Sequence, residues 1–444
     1  MNKKHVLLAG TALLAGLAVS FSSHATTLGG AVAQTLDSNP YVMQAVNERR
    51  ARNFEVDQAK AGFKPKVDLN AGVGHEWSNN PSTRARVPRD NWVELDRTEL
   101  ELTLRQMIFD GHLTKYEVER QMARVKSAAY EIGGVSQNTA LRAIEVYLEL
   151  LKQRQDLELA RDNLDAHERI YDQIKLRSDS GVGRKADLAQ IEGRLALAKS
   201  NVIAAQNNVN ETAANYRRVI GSAPDELTRP KSLEDSLPQT VEESVAQGLE
   251  SHPTLRSANA DVEATQAQHR VSRFNHMPRL DIELGRTWNN DLDGVNGRNE
   301  DITAMLRMRW NLYNGGKDDA RIKQTSHLIN ESMDVRDNTA REVEESIRLS
   351  WTSYQATKQQ TAFLKRHMDS SKNTREAYAK QFNIGKRTLL DLLDTENEVF
   401  ESSRAHNNSD YTYLYAQYRI LTGMGKLLEV LDIMLPTEAA VASK

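Results

Sequence analysis

From Val67 to Trp77 the chain alternates strictly. Val67, Leu69, Ala71 and Val73 lie on one side, and Asp68, Asn70, Gly72 and Gly74 on the other. A period of two predicts an amphipathic strand. A second run sets Leu100, Leu102, Leu104 and Ile108 against Glu99, Glu101, Thr103 and Arg105, and Asp110-Gly111 closes it. Two more follow far downstream. Leu280, Ile282, Leu284 and Trp288 oppose Asp281, Glu283, Gly285 and Thr287; Ile302, Leu306, Met308, Trp310 and Leu312 oppose Thr303, Arg307, Arg309 and Asn311.

Elsewhere the period is helical. Residues 28–64 predict a helix broken at Asn39-Pro40, because proline suits a first helical position. The polar stretch 78–95, with Asn79-Asn80-Pro81 and Pro88, predicts a loop. A helix of about seventy residues, from 112 to 180, could reach roughly 100 Å before Ser180-Gly181-Val182-Gly183 stops it. The return helix places Leu188, Ile191, Leu195, Ala198, Val202, Ala205, Val209, Thr212, Tyr216 and Val219 at alternating three-four spacing. That is coiled-coil packing between antiparallel neighbours. Three prolines mark 221–238 as a linker. Later a long helix from Lys317 to about Phe382, a turn at Gly385 and a helix to about Leu421 repeat the plan, and the tail from Pro436 is expected to be disordered.

The repetition is explicit. Asn39-Pro40 returns as His252-Pro253, Phe109-Asp110-Gly111 as Tyr313-Asn314-Gly315, Gly183 as Gly385, and Tyr216-Arg217 as Tyr418-Arg419. A spacing of about two hundred residues is too long for a solenoid and marks a duplicated, domain-sized unit. The division is a secretory signal over 1–25, a first repeat over 26–220, the linker, a second repeat over 239–423 and a tail over 424–444. Lys3 and Lys4 precede an apolar stretch from Val6 to Phe21, and Ser23-His24-Ala25 offers a cleavage site before Thr26.

Composition narrows the picture. The 444 residues carry a formal net charge of -3 and no cysteine. Disulfides, thiolate metal sites and a cysteine nucleophile are excluded. No basic stretch with interleaved aromatics suggests nucleic acid. The eleven histidines show no metal-ligand spacing, and no Ser-His-Asp set or phosphate loop appears. No cofactor is implied, and an enzyme is not indicated. Past the signal there is no apolar run of about eighteen residues for a helical membrane span.

The four strands are long enough to cross a bilayer at a tilt. They cannot close a barrel alone, and hydrocarbon does not tolerate an open sheet edge. Three chains would supply twelve strands. Polar faces would then line a lumen, and Trp77, Trp288 and Trp310 fit an interfacial girdle against outer-membrane lipid. The strands alone fit a soluble sheet with one wet face equally well. The signal and the long helices tip the balance toward the barrel.

The chain resembles the TolC family of outer-membrane ducts over essentially its whole mature length. The helix-strand-strand-helix-helix repeat is that family's plan, as are the Phe109-Asp110-Gly111 and Tyr313-Asn314-Gly315-Gly316 turns. Trp310 to Gly316, with Arg348-Leu349-Ser350-Trp351, is most similar to the branch serving type I secretion, including export of large adhesins. The resemblance implies a mainly α homotrimer: a twelve-stranded transmembrane β-barrel continued by a periplasmic α-helical barrel. It implies an inner-membrane ATP-binding cassette (ABC) transporter and a periplasmic adaptor as partners, with drug efflux as the alternative to protein export. A periplasmic adaptor or a purely structural coiled coil fits less well. The first would need a lipoyl-like half-motif, and the second leaves the strands without purpose.

The strongest local pattern is Phe382-Asn383-Ile384-Gly385-Lys386-Arg387-Thr388-Leu389-Leu390-Asp391-Leu392-Leu393-Asp394. Asp391 and Asp394, three apart, share a helix face. In a trimer they would gather six carboxylates, raising some pKa values or holding cations. Helix capping and solvated surface charge explain these acids without a gate. The resemblance implies a closed periplasmic end, with Arg387 bonding a Thr-Asp pair on the partner hairpin and the two acids forming a constriction. Here Ala186-Asp187 matches the pair, and Phe382 stands where the family has a tyrosine. The resemblance thus leaves Arg387 to Asp187 as the main lock. It also implies that the tips Gly181, Val182, Gly183 and Ile384, Gly385 dock the adaptor, although glycine helix termination gives the same residues.

Overall fold

The computed structural model describes residues 26–86 and 92–441. The expected signal, 1–25, lies outside the described residues. The first unit runs α1 (Leu28–Ser38), α2 (Pro40–Lys60), β1 (Lys66–Ser78), α3 (Pro81–Arg86), β2 (Val93–Phe109), α4 (Leu113–Asp179) and α5 (Lys185–Ile220). The second runs α6 (Val241–Ser251), α7 (Pro253–Phe274), β3 (Arg279–Leu292), β4 (Val295–Arg309), α8 (Lys317–Asn383) and α9 (Leu389–Gly423), followed by α10 (Leu427–Val430).

Local chemistry sets these bounds. Asn39 ends α1 and caps α2 through a side chain that accepts from the Tyr41 amide, with Pro40 in the first turn. Helices α4 and α8 are each 67 residues long and start 204 positions apart. At 1.5 Å per residue each spans about 100 Å. None of the ten positions expected to face inward on α5 is exposed.

Some expectations change. The stretch read as a loop over 78–95 holds α3, whose first amides are capped by the Asn80 side chain, and β2 begins at Val93. Strand β4 ends at Arg309, so Trp310 and Leu312 stand beyond it. The tail expected to be disordered from Pro436 has a 3-10 turn at Thr437–Ala439, and Glu438 pairs with Arg50 on α2 at 2.5 Å. Residues 442–444 lie outside the described residues. The correspondence of Gly183 with Gly385 is off by two. Gly181 and Gly385 are the left-handed pair, with φ of 76° and 75°. At each tip an amide reaches five residues back, Val182 to Arg177 and Lys386 to Gln381.

The main apolar core lies where α1, α4, α5, α9 and α10 meet. It includes Val32, Ile144, Tyr147, Tyr216, Tyr418 and Leu427. Burial pushes the Tyr216 hydroxyl up to about 12. The Tyr147 hydroxyl lies 2.7 Å from both the Thr26 and Thr228 carbonyl oxygens, sharing one proton between the start of the described chain and the linker. Lys358 and Tyr413 hold Glu234 of the linker.

The four strands form one antiparallel sheet in the order β1-β2-β3-β4, so β1 and β4 are edges. Its two faces are inside out. Leu100, Leu102, Ile282 and Leu284 are exposed, while Glu99, Glu101 and Glu283 are half-buried or better and Asp281 is 0% exposed. On β4, Ile302 is 77% exposed. A soluble sheet with one wet face buries its leucines; here no helix among the described residues covers them.

Candidate gate at the hairpin ends

Helices α4 and α5 form one hairpin and α8 and α9 the other. Their turns expose Val182 (84%) and Ile384 (67%) to solvent. Glycine is required at Gly181 and Gly385 by positive φ. At Gly183 the reason is space: a Cβ would sit 2.8 Å from the Ser178 amide nitrogen. The tips therefore present one apolar side chain each on a stiff glycine-terminated turn.

Just behind the tips the hairpins are sealed together. Ile170, Ile174 and Ile191 pack with Phe382, Leu389, Leu392 and Leu393. The Arg177 guanidinium lies over the Phe382 ring, 5.3 Å from its centroid. Phe382 is thus a core residue joining the two hairpins, and a buried phenyl ring needs no hydroxyl partner. The Gln173 side-chain amide donates to Asn383 across the same joint at 3.2 Å.

The charged residues divide in an unexpected way. Asp391 closes a capping box: it accepts from the Thr388 amide and hydroxyl, and the Thr388 hydroxyl accepts from the Asp391 amide. The Thr388 hydroxyl, its amide and then Arg387 hold the Asp391 carboxyl below the usual range. The capping explanation therefore describes Asp391 within the protomer. Asp394 pairs with Arg194 of α5 at 3.0 Å, a tie between hairpins that the sequence pattern does not reveal. Arg194 is two turns beyond Asp187, on the same helix face, and that spacing is its only sequence signal.

Arg387 lies 4.1 Å from the Tyr378 ring centroid, donates to Gln381 and stands 3.9 Å from Asp391. Among the described residues no ion pair joins it to Asp187, which sits in the first turn of α5. Within one protomer the structure thus brings together Phe382, Asp391, Arg387 and Asp394, and leaves Asp187 apart.

Farther inward, Glu396 is buried between α4, α8 and α9, with Arg375 3.7 Å away. Burial pushes its carboxyl up, against the pull of Arg375 and His167. At the other end of the molecule, Trp77 and Trp288 stand toward the strand ends remote from the long helices α4 and α8. Trp310 stands at the helix side, where its indole donates to the His276 carbonyl at 3.0 Å.

Comparison with known proteins matches both halves separately. The chain matches the family described as outer membrane efflux protein over residues 31–222 and again over 245–426. It is 25% identical over 426 residues to the outer membrane efflux protein BepC of Brucella suis, covering 95% of this chain and 89% of that one. It is 22% identical over 403 residues to the alkaline protease secretion protein AprF of Pseudomonas aeruginosa, covering 89% and 83%. The solved CmeC outer membrane channel of Campylobacter jejuni shares the fold, with a TM-score of 0.77 at 15% identity over 90% of this chain and 86% of that one.

Proposed function

The chain belongs to the outer membrane efflux protein family, the TolC family, and on that footing we propose that it is the exit duct of a type I secretion system. It is an outer-membrane transport channel with a periplasmic helical part, and not an enzyme. Channels of this family are homotrimers that work with a periplasmic adaptor and an inner-membrane transporter. For this chain the transporter is of the ABC class, and the cargo is protein, large adhesins included. Three copies pair β4 of one with β1 of the next to close twelve strands.

One observation carries the reading: a four-stranded sheet with both edges free, leucines outward and carboxylates inward. Only a hydrocarbon surround and a wet lumen make both faces favourable. Protein export is supported by the relative named for protease secretion and by the Trp310–Gly316 and Arg348–Trp351 patterns. Drug efflux is the second reading, because another relative is named an efflux protein. At the gate, Arg387 meets Asp187 of a neighbouring subunit, the acids narrow the mouth, and Val182 and Ile384 meet the adaptor. Trp77, Trp288 and Trp310 sit at the membrane interfaces.

Deleting the gene and comparing secreted proteins with drug sensitivity tests the cargo. Loss of one or a few large extracellular proteins, restored by the gene in trans, is expected. Unchanged secretion with heightened sensitivity to dyes and detergents would establish efflux instead.

A further inference from the structure

We propose that the neck of the barrel, where the strands join the helices, is a cationic collar that binds carboxylate-rich extended chains as they pass. The proposal rests on the reading of the chain as a threefold duct. Four arginines converge there on two acids. Asp281 accepts from Arg279 at 3.0 Å and from Arg309 at 2.8 Å. Glu283 accepts from Arg105 at 3.0 Å, and from Arg307 and Arg309. All four arginine side chains remain between 41% and 48% exposed.

Register places these groups on one face. Lys66 is opposite Arg105, Arg105 opposite Glu283, Asp281 opposite Arg307, and Arg279 opposite Arg309. Opposed residues in an antiparallel pair point the same way, so all seven lie on the polar, inward face. Five cations against two acids leave a net of three positive charges per chain and nine per trimer. Farther from the helices the same face reverses sign: Asp68, Glu76, Glu99, Glu101 and Asp301 outnumber Arg97 by four.

The pairing explains why the cations stay available. Asp281 is fully buried, and Arg279 and Arg309 supply the hydrogen bonds and opposite charge that a buried carboxylate needs. Each guanidinium has five donors, and the two acids engage only some of them. With side chains 41–48% exposed, the remaining donors are accessible to a passing carboxylate. Rings of Arg and Lys are how pores favour anions. The acidic belt beyond the collar disfavours anions, so the collar is a local holding site and the lumen as a whole is not an anion sink.

The test is fluorescence anisotropy of a labelled oligoglutamate peptide against the detergent-purified trimer, at low and high salt. At ~20 mM salt the screening length is about 20 Å, so a ring of charge acts across a lumen. Lys66→Glu, an exposed edge position, lowers the net charge by six per trimer and is expected to weaken binding on the order of tenfold. Glu283→Gln raises the net charge by three per trimer and is expected to strengthen it, and Lys365→Glu, an exposed position roughly 70 Å along α8 from the strands, is expected to change nothing. Oligolysine is expected to respond in the opposite sense, tightening with Lys66→Glu and weakening with Glu283→Gln. Heat-modifiable trimers whose oligoglutamate affinity ignores both collar variants would overturn the collar and leave the duct standing. A preparation that is monodisperse as a single chain would overturn the duct and the collar together.

Discussion

The sheet and the helical core obey opposite rules. In the core, Val32, Ile144, Tyr147 and Tyr216 are inside, and buried carboxylates such as Asp156 and Glu396 are exceptions. In the sheet, Leu100, Leu102 and Ile302 are outside, and Asp281 is more buried than any of them. Both regions place apolar groups against apolar surroundings and satisfy their polar groups. What differs is the solvent: water around the helices, hydrocarbon around the strands. A burial pattern is therefore evidence about the medium as much as about the fold.

The comparison breaks most directly at Ile302. In a water-soluble protein, Ile302→Arg at a 77% exposed position is expected to change stability by within about 0.5 kcal/mol. Against lipid the same change costs about 2–4 kcal/mol per chain, repeated in each of three chains. The expected outcome is loss of the heat-modifiable trimer on gels, with the helices left intact as judged by circular dichroism. Retention of a full trimer yield would return the sheet to water.

The core side of the comparison is sharpened at Tyr147. Tyr147→Phe keeps the ring and removes the hydroxyl that serves Thr26 and Thr228. Two carbonyls, one at the start of the described chain and one in the linker, then lose their donor, at a cost of about 1 kcal/mol. Thermal unfolding of the purified protein is expected to show the loss, with sheet assembly unaffected. An unchanged melting temperature would mean that water replaces the hydroxyl and that this clamp is not part of the core's stability.

Much of this is legible in the sequence, and the failures have physical causes. Alternation and three-four spacing yield the order of elements, because each face meets one medium for many residues. Alternation alone does not say which medium, since a wet-faced soluble sheet has the same pattern; the exposure of Leu102 and the burial of Asp281 decide it. The tip register slips because Gly181-Val182-Gly183 offers two glycines, one needed for φ and one for space. Arg194 escapes notice because its partner, Asp394, lies 200 residues away on the other hairpin. Phe382 reads in the sequence as a lost hydrogen bond, whereas the structure uses it as apolar glue.

A smaller effect separates charge in the helical core from charge in the sheet. Glu396 is buried without the several donors that Glu283 has, and its folded pKa is raised above 4.5. A raised carboxyl binds its proton more tightly in the folded state. Its contribution is therefore favourable below the unfolded pKa and is lost as pH rises through the folded value. Glu396→Gln is expected to raise the melting temperature at pH 7 and to lose that advantage near pH 4. An equal effect at both values would show that the carboxyl is not desolvated in the assembled protein.

The smallest effects on stability, and the most telling for mechanism, are expected at the hairpin ends. The Arg194–Asp394 pair is partly exposed, with 33% and 58% of the two side chains accessible. Such pairs contribute about 0–1 kcal/mol, so Arg194→Ala is expected to leave folding and trimer yield unchanged. Its consequence is positional: the two hairpins of one protomer lose a tie beside the acids of the proposed constriction. Arg387→Ser tests the other contact, the one proposed between subunits. Single-channel conductance in planar bilayers is expected to rise in each variant and to rise further in the double variant, because the two ties act on different joints. If Arg387→Ser conducts as the parent does while Arg194→Ala conducts more, the gate is held within protomers and the Arg387–Asp187 lock is wrong. If neither variant changes conductance, the seal resides in the apolar joint around Phe382, and charge at the mouth only tunes which ions pass.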